Sequence, residues 1–215
     1  MLKAEAIVYP KGGRVLSGIS MSVDKGEAVC ILGDNGAGKT LLLEILSTLR
    51  RPFAGILTIM GKDAIKKPDN VRKYVGYVPD SSHIIEGFSV EGYLAAFAGC
   101  YGLKGNINNL RREEVIRIMG LEDVKGLPME RLSLSVLKRV SFARSLIHQP
   151  GLLIIDNPFT GLDDKWITRL LEMLIRLKRE GVTIVSSMPS LSGMEEPRSL
   201  WNRVEKLENG VLKPV

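Results

Sequence analysis

Gly33-Asp34-Asn35-Gly36-Ala37-Gly38-Lys39-Thr40 fits the spacing G-x-x-x-x-G-K-[ST] at every fixed position. Glycines let a backbone turn tightly and come close to an anion. Successive N–H groups, those of Asn35 and Ala37 among them, can then line a concave phosphate cradle, as at a helix N-terminus. Lys39 supplies a point charge for the outer phosphates, and Thr40 a hydroxyl ligand for Mg²⁺. The segment is a phosphate loop and points to nucleotide binding.

Such a loop needs a strand before it and a helix after it. Ala28-Val29-Cys30-Ile31-Leu32 reads as a buried strand, and Leu41 to Leu46 as the start of a helix. Further strands are expected at Gly18–Val23, which alternates apolar and small polar residues, at Ile56–Gly61, and at Val75–Val78 before Pro79. Leu152 to Ile155 is an apolar run ending in Asp156, the pattern of a buried parallel strand. Gly181–Ser186 is the next strand, and Asn209-Gly210 marks a hairpin within Val204–Leu212. Helical patterning covers Ser89–Gly102, Asn109–Met119, Val136–His148 and the amphipathic stretch Trp166–Arg179. The fold class is α/β in βαβ order, with a helical stretch inserted between strands.

The 215 residues suit one domain. No apolar run approaches the ~20 residues that span a bilayer, and Met1–Glu5 has no signal-peptide core. Cys30 and Cys100 are too few for a disulfide framework and read as reduced, structural thiols of an intracellular protein. The net charge is +6, but the basic residues are scattered without interleaved aromatics. No nucleic acid partner is expected; a solvated surface near anionic lipid is.

Several segments then fall into one order that resembles the ATP-binding cassette (ABC) ATPase. Tyr9 lies where that family sets an aromatic against adenine. Gly76-Tyr77-Val78-Pro79-Asp80 resembles its Q-loop. Leu132-Ser133-Leu134-Ser135-Val136, running into Lys138–Arg144, is similar to a worn LSGGQ signature and its helix. Leu152–Pro158 is similar to the Walker B strand, and Thr160-Gly161-Leu162-Asp163 to the D-loop. Ser81–Leu103, with Phe88, Tyr93 and Phe97, and the tail Trp201–Gly210 are most similar to ABC-2-type exporters. The resemblance implies a P-loop NTPase with a RecA-like core, an N-terminal antiparallel β subdomain and an inserted helical subdomain. All of it lies in one domain over 1–215, with core and β subdomain at 1–83 and 149–215 and the helical part at 84–148. It implies ATP and Mg²⁺ as cofactors, with Thr40, Asp156 and Asp80 on the metal.

The departures from the family lie in the residues that act on water. Asn157 stands where the catalytic Glu is expected, and an amide cannot accept a proton at neutral pH. General-base catalysis is worth roughly 10²–10⁴-fold, about 3–5 kcal/mol of barrier. Asp80 replaces the Q-loop Gln. Met188 stands for the switch His, or Pro189 if the alignment has no gap. His83 and His148, the chain's two histidines, read as surface or subdomain residues. Ser133 keeps a hydroxyl for a γ-phosphate, while Leu134 and Ser135 replace two glycines. Leu41 replaces a hydroxyl residue beside the α-phosphate.

In this family a phosphate loop faces the signature of a second subunit, so a homodimer and a heterodimer would both hold damaged sites. The expectation is an ATP-binding subunit, cytoplasmic and peripheral on the inner face of the membrane. It would close as a dimer on a transmembrane permease, export-type, with weak hydrolysis. Ile84, Ile85, Phe88 and Phe97 could line the permease groove or form subdomain core. The alternatives are a non-hydrolysing regulatory module and a soluble non-transport ABC protein.

Overall fold

A computed structural model describes residues 1–12, 15–81, 85–190 and 199–215. His83 and Ile84 lie outside the described residues. Two sheets organise the chain. One is antiparallel, in the order β2-β1-β4-β5: β1 (Leu2–Tyr9), β2 (Leu16–Val23), β4 (Ala54–Ile59) and the two-residue β5 (Lys62–Asp63). The other runs β10-β9-β3-β8-β7-β6: β3 (Ala28–Leu32), β6 (Val75–Val78), β7 (Leu152–Asp156), β8 (Thr183–Met188), β9 (Arg203–Glu208) and β10 (Val211–Pro214). Its β9, β3, β8, β7 and β6 are mutually parallel, and β10 closes one edge as a hairpin. Asn209 and Gly210 turn that hairpin with φ 51° and 77°, the positive values a tight two-residue turn needs.

The parallel strands are covered on both faces, which is why they read as unbroken apolar runs. Side chains alternate across the sheet. Val29, Ile31, Leu152, Ile154 and Val185 pack toward α1 (Lys39–Leu46) and the antiparallel sheet. Ala28, Cys30, Leu153, Ile155 and Ile184 pack toward α5 (Leu134–Leu146) and α6 (Asp164–Arg179). The short α2 (Asp69–Arg72) precedes β6; α3 (Val90–Cys100) and α4 (Gly105–Ile118) lie with α5 between β6 and β7.

Strand β1 escaped the sequence reading, although Leu2 and Ala4 inward and Lys3 outward carry a strand alternation. It is the middle strand of the antiparallel core. Helix α4 starts four residues before the expected Asn109, through Gly105 and Asn106, which are weak helix formers. Tertiary bonds offset that weakness: Asn108 donates from Nδ2 to the carbonyls of Ala95 (3.3 Å) and Leu103 (3.1 Å). Of the cysteines, Cys30 is buried and its thiol pushed up to about 12 by burial, whereas Cys100 is exposed on α3.

His148 follows α5, half-buried. Its ring stacks on Tyr101 at 3.7 Å, and Nε2 meets the Val75 carbonyl at 3.1 Å. Burial pushes its pKa down from 6.5 to about 4, with the Arg111 charge adding to the fall and the Val75 contact opposing it. The unfolded chain therefore binds the proton more tightly, and stability falls as pH drops from about 6.5 to 4. Urea titrations at stepped pH should show the wild type losing stability over that interval relative to His148→Phe, with the difference level above pH 7.

Candidate functional site

Parallel strands bring their C-terminal ends to one edge, where open α/β sheets place ligands. At this edge β3 runs into Gly33, β6 into Pro79 and Asp80, and β7 ends on Asp156. In the register of β7 and β8, Asp156 lies opposite Ser187, and Val78 lies opposite Ile155.

The phosphate loop leaves β3 and enters α1 at Gly38, with a turn bond from Ala37 N–H to the Asp34 carbonyl at 3.1 Å. Two of its glycines are required by close approach. A Cβ at Gly33 would come within 2.7 Å of the Leu207 carbonyl oxygen on β9. A Cβ at Gly38, where φ is 98°, would come within 2.8 Å of Val15. Asn35 and Gly36 are exposed at the loop tip. Lys39 is 7 % exposed and folds back, its Nζ donating to the carbonyls of Gly33 (2.6 Å) and Asp34 (2.9 Å). Burial holds its pKa below the usual lysine value, with Asp156, Asp34 and Asp80 opposing. Leu41 is half-buried against the α1-side core, so a hydroxyl at that position would gain no apolar packing.

Asp156 is fully buried, and both its carboxylate oxygens are engaged. Thr40 donates to Oδ2 at 2.5 Å, and Ser187 donates to Oδ1. Asp80 lines the same cavity of about 360 Å³ as Thr40, Tyr77, Arg72, Tyr101 and Asp156. Lys138 on α5 is 2 % exposed. Its Nζ donates to the carbonyls of Pro79 (3.0 Å), Asp80 (3.3 Å) and Asp156 (3.0 Å). Burial pushes its pKa down to about 8, against the pull of Asp80 and Asp156. The donor set fits nucleotide and Mg²⁺: a loop too close-packed at two glycines for side chains, a lysine held by loop carbonyls, and a threonine hydroxyl beside a carboxylate.

Asn157 follows in the left-handed region at φ 46°. Its N–H donates to the Ser187 carbonyl at 3.2 Å, and its side-chain Oδ1 is buried with no hydrogen-bond partner among the described residues. Met188 is 3 % exposed and packs with the α5 and α6 core, on the sheet face opposite Ser187 and Asp156. Pro189 is exposed beyond the strand end. Ser133 and Leu134 are exposed at the start of α5, away from the cavity lining, and Ser135 is half-buried there. Ser133 caps α5, its Oγ accepting from Val136 N–H at 3.4 Å. Asp163 caps α6, its Oδ1 accepting from Trp166 N–H at 2.9 Å. Tyr9 ends β1 with its hydroxyl accepting from Arg50 at 3.2 Å, the guanidinium 5.7 Å from the ring centre.

The structure thus brings Gly33–Thr40, Asp80, Asp156 and Asn157 to one edge. Ser187 and Lys138 belong to the same cluster and were not picked out from the sequence. Two serines ending an apolar strand were a readable signal for Ser187. For Lys138 the sequence offered only a basic residue in a helix full of them.

A phosphate loop at the edge of a parallel sheet, with a strand-end carboxylate beside its threonine, defines a P-loop nucleotide-binding protein. Over residues 16–160 the sequence matches ABC_tran, the ABC transporter family. The chain belongs to that family. It is 32% identical over 193 residues to the ABC transporter ATP-binding protein NatA of Bacillus subtilis, covering 89% of this chain and 77% of that protein. It is 31% identical to the Nod factor export ATP-binding protein I of Burkholderia lata, covering 91% of this chain and 64% of that one. The doxorubicin resistance ATP-binding protein DrrA of Mycobacterium tuberculosis is 29% identical, with 95% and 61% covered. The chain thus spans less than two thirds of the latter two relatives. A solved ATP-binding subunit of an ABC transporter superposes with TM-score 0.88 at 28% identity, covering 99% of this chain and 88% of that one. The fold is that of the ABC ATPase cassettes.

Gly33→Ala forces a Cβ against the backbone of β9 rather than against a movable side chain. It should lower the free energy of unfolding by about 1–3 kcal/mol in a urea titration. A loss below about 0.5 kcal/mol would show that the backbone of β9 can give way to a Cβ at Gly33.

Proposed function

We propose that the chain is the ATP-binding subunit of an export-type ABC transporter, binding Mg-ATP firmly and hydrolysing it slowly. One observation carries this reading. The groups suited to hold phosphate and metal stand together at the sheet edge, while the position after Asp156 is an amide, Asn157.

In this reading the backbone N–H groups of Gly33–Lys39 receive the phosphates, and Lys39 turns from its own loop carbonyls to the outer phosphate oxygens. Thr40 and Asp156 would hold Mg²⁺, with Asp80 on the cavity side; bound there, the ion would neutralise phosphate charge. Ser187 fixes the Asp156 carboxylate. Asn157 can orient a water through its Oδ1 but cannot take its proton. Tyr9 is assigned to adenine and Leu41 to the flank of the α-phosphate. The exposed Ser133, the half-buried Ser135 beside it and the exposed Asp163 would face a second ATP-binding subunit across a dimer.

The membrane partner is assigned to the cavity lined by Asp80, Leu49, Phe97 and Tyr101, and to the exposed Ile85 and Phe88. Among the described residues no helix is long and apolar enough to cross a membrane. A transmembrane permease is proposed as the partner because the similar NatA protein is an ABC transporter ATP-binding protein. The export direction rests on the similarity to the Nod factor export protein. The helical subdomain is taken as 84–148, inserted in a core of 1–83 and 149–215, with the protein peripheral on the cytoplasmic face. A second reading, a regulatory module that closes on ATP without turnover, is favoured by the same Asn157 and by the burial of Met188.

Titration calorimetry should give a dissociation constant for Mg-ATP of about 1 μM or tighter, near −8 kcal/mol; absence of binding rejects both readings. Steady-state ATPase should be low and should rise in Asn157→Glu by up to about 10²-fold. Ordinary turnover by the wild type would mean that another base acts, Asp80 first. Purification from native membranes with ATP and Mg²⁺ separates the two readings by whether a membrane protein accompanies the chain.

A further inference from the structure

Helix α5 sends two cations into the body of the protein. Arg144 donates to the Tyr77 carbonyl (2.9 Å) and to the Tyr93 hydroxyl (3.2 Å). Lys138 reaches deeper, to the carbonyls of Pro79, Asp80 and Asp156 at 3.0, 3.3 and 3.0 Å. A protonated ammonium has three N–H donors, and here each one has a carbonyl.

A buried cation is costly, and an apolar side chain of the same length would avoid that cost. It would also leave three inward-facing carbonyls without their donor. What marks this lysine is which carbonyls they are. Two belong to Asp80 and Asp156, both of which line the cavity and both of which are assigned to Mg²⁺ in the proposed function. They lie at the ends of neighbouring strands, β6 and β7, and Lys138 holds both from a third element. The helix cap Ser133 is five residues away along α5, about 7 Å at 1.5 Å per residue. Displacing the exposed start of α5 therefore pulls on the backbone of both aspartates together.

We propose that Lys138 is a positioning residue for the metal side of the nucleotide site. It sets the separation of the Asp80 and Asp156 backbones and makes that separation follow the position of α5. The proposal rests on the assignment of Mg²⁺ to Thr40, Asp156 and Asp80 made above.

The test uses the full chain as wild type, Lys138→Met and Lys138→Arg. ATP affinity is measured by calorimetry in excess Mg²⁺ and again in EDTA, and folding by thermal melting. In EDTA, Lys138→Met should bind ATP within about twofold of wild type, because the phosphate loop is untouched. The gain in affinity on adding Mg²⁺ should fall about 10-fold or more, the scale at which residues that orient metal ligands act. Lys138→Arg, which keeps the charge and several donors, should recover most of the gain. Leu170→Ala, a cavity in α6 remote from the site, controls for general destabilisation and should leave the gain unchanged. An unchanged gain in a folded Lys138→Met overturns the proposal, as does an equal loss with and without Mg²⁺. If Lys138→Met does not fold, Lys138→Gln carries the same test, and an unchanged gain there overturns it equally. A wild type that binds ATP without any Mg²⁺-dependent gain refutes the metal assignment instead, and the proposal falls with it.

Discussion

The carboxylate of Asp156 is the point on which the rest of the site depends. It is wholly removed from solvent, and a polar group buried in that position requires hydrogen-bond partners. Thr40 brings one from α1, Ser187 brings another from β8, and Lys138 holds the carbonyl of the same residue from α5. Charge-assisted hydrogen bonds are about twice as strong as neutral ones. This single residue therefore ties two strands and two helices at the sheet edge. The phosphate loop is seated there because α1 begins with the residue that reaches Asp156.

The same need for donors explains the polar residues that interrupt an otherwise apolar core. Ser187 and Lys138 are buried, and each has a hydrogen-bond role to justify its place. Asn157 is the contrast. Its Oδ1 is buried with no partner among the described residues, and its backbone stands in the left-handed region. Strained and unsatisfied groups cluster where function overrides stability. Here the residue concerned directly follows Asp156 at the end of β7.

Much of the fold was legible because a parallel sheet covered on both faces must write apolar runs. β6 was placed at its observed ends, and β3, β7 and the Asn209-Gly210 hairpin followed from equally direct signals. Helix starts were less legible. Patterning set α5 to begin at Val136 and α6 at Trp166, whereas the helices begin at Leu134 and Asp164. Capping residues and first turns are polar or exposed, so apolar periodicity does not register them. Strand β1 was lost to its charged outward face, and the early start of α4 depends on bonds from α3 and the following loop that no local rule contains.

For the site, the sequence by itself determined which chemistry was possible. The spacing from Gly33 to Thr40 fixes a phosphate loop, and an apolar run ending in Asp156 fixes a carboxylate at a strand end, because both patterns are local. Only the tertiary structure decided what that carboxylate meets. Asp156 and Thr40 are 116 residues apart, yet their side chains bond. It also decided that Ser187 faces the site and Met188 the opposite core, since neighbouring side chains on a strand point to opposite faces. The burial of Lys138 was settled there too. Its partners lie 59, 58 and 18 residues away, and a lysine's surroundings are set by what packs around it rather than by its neighbours in sequence.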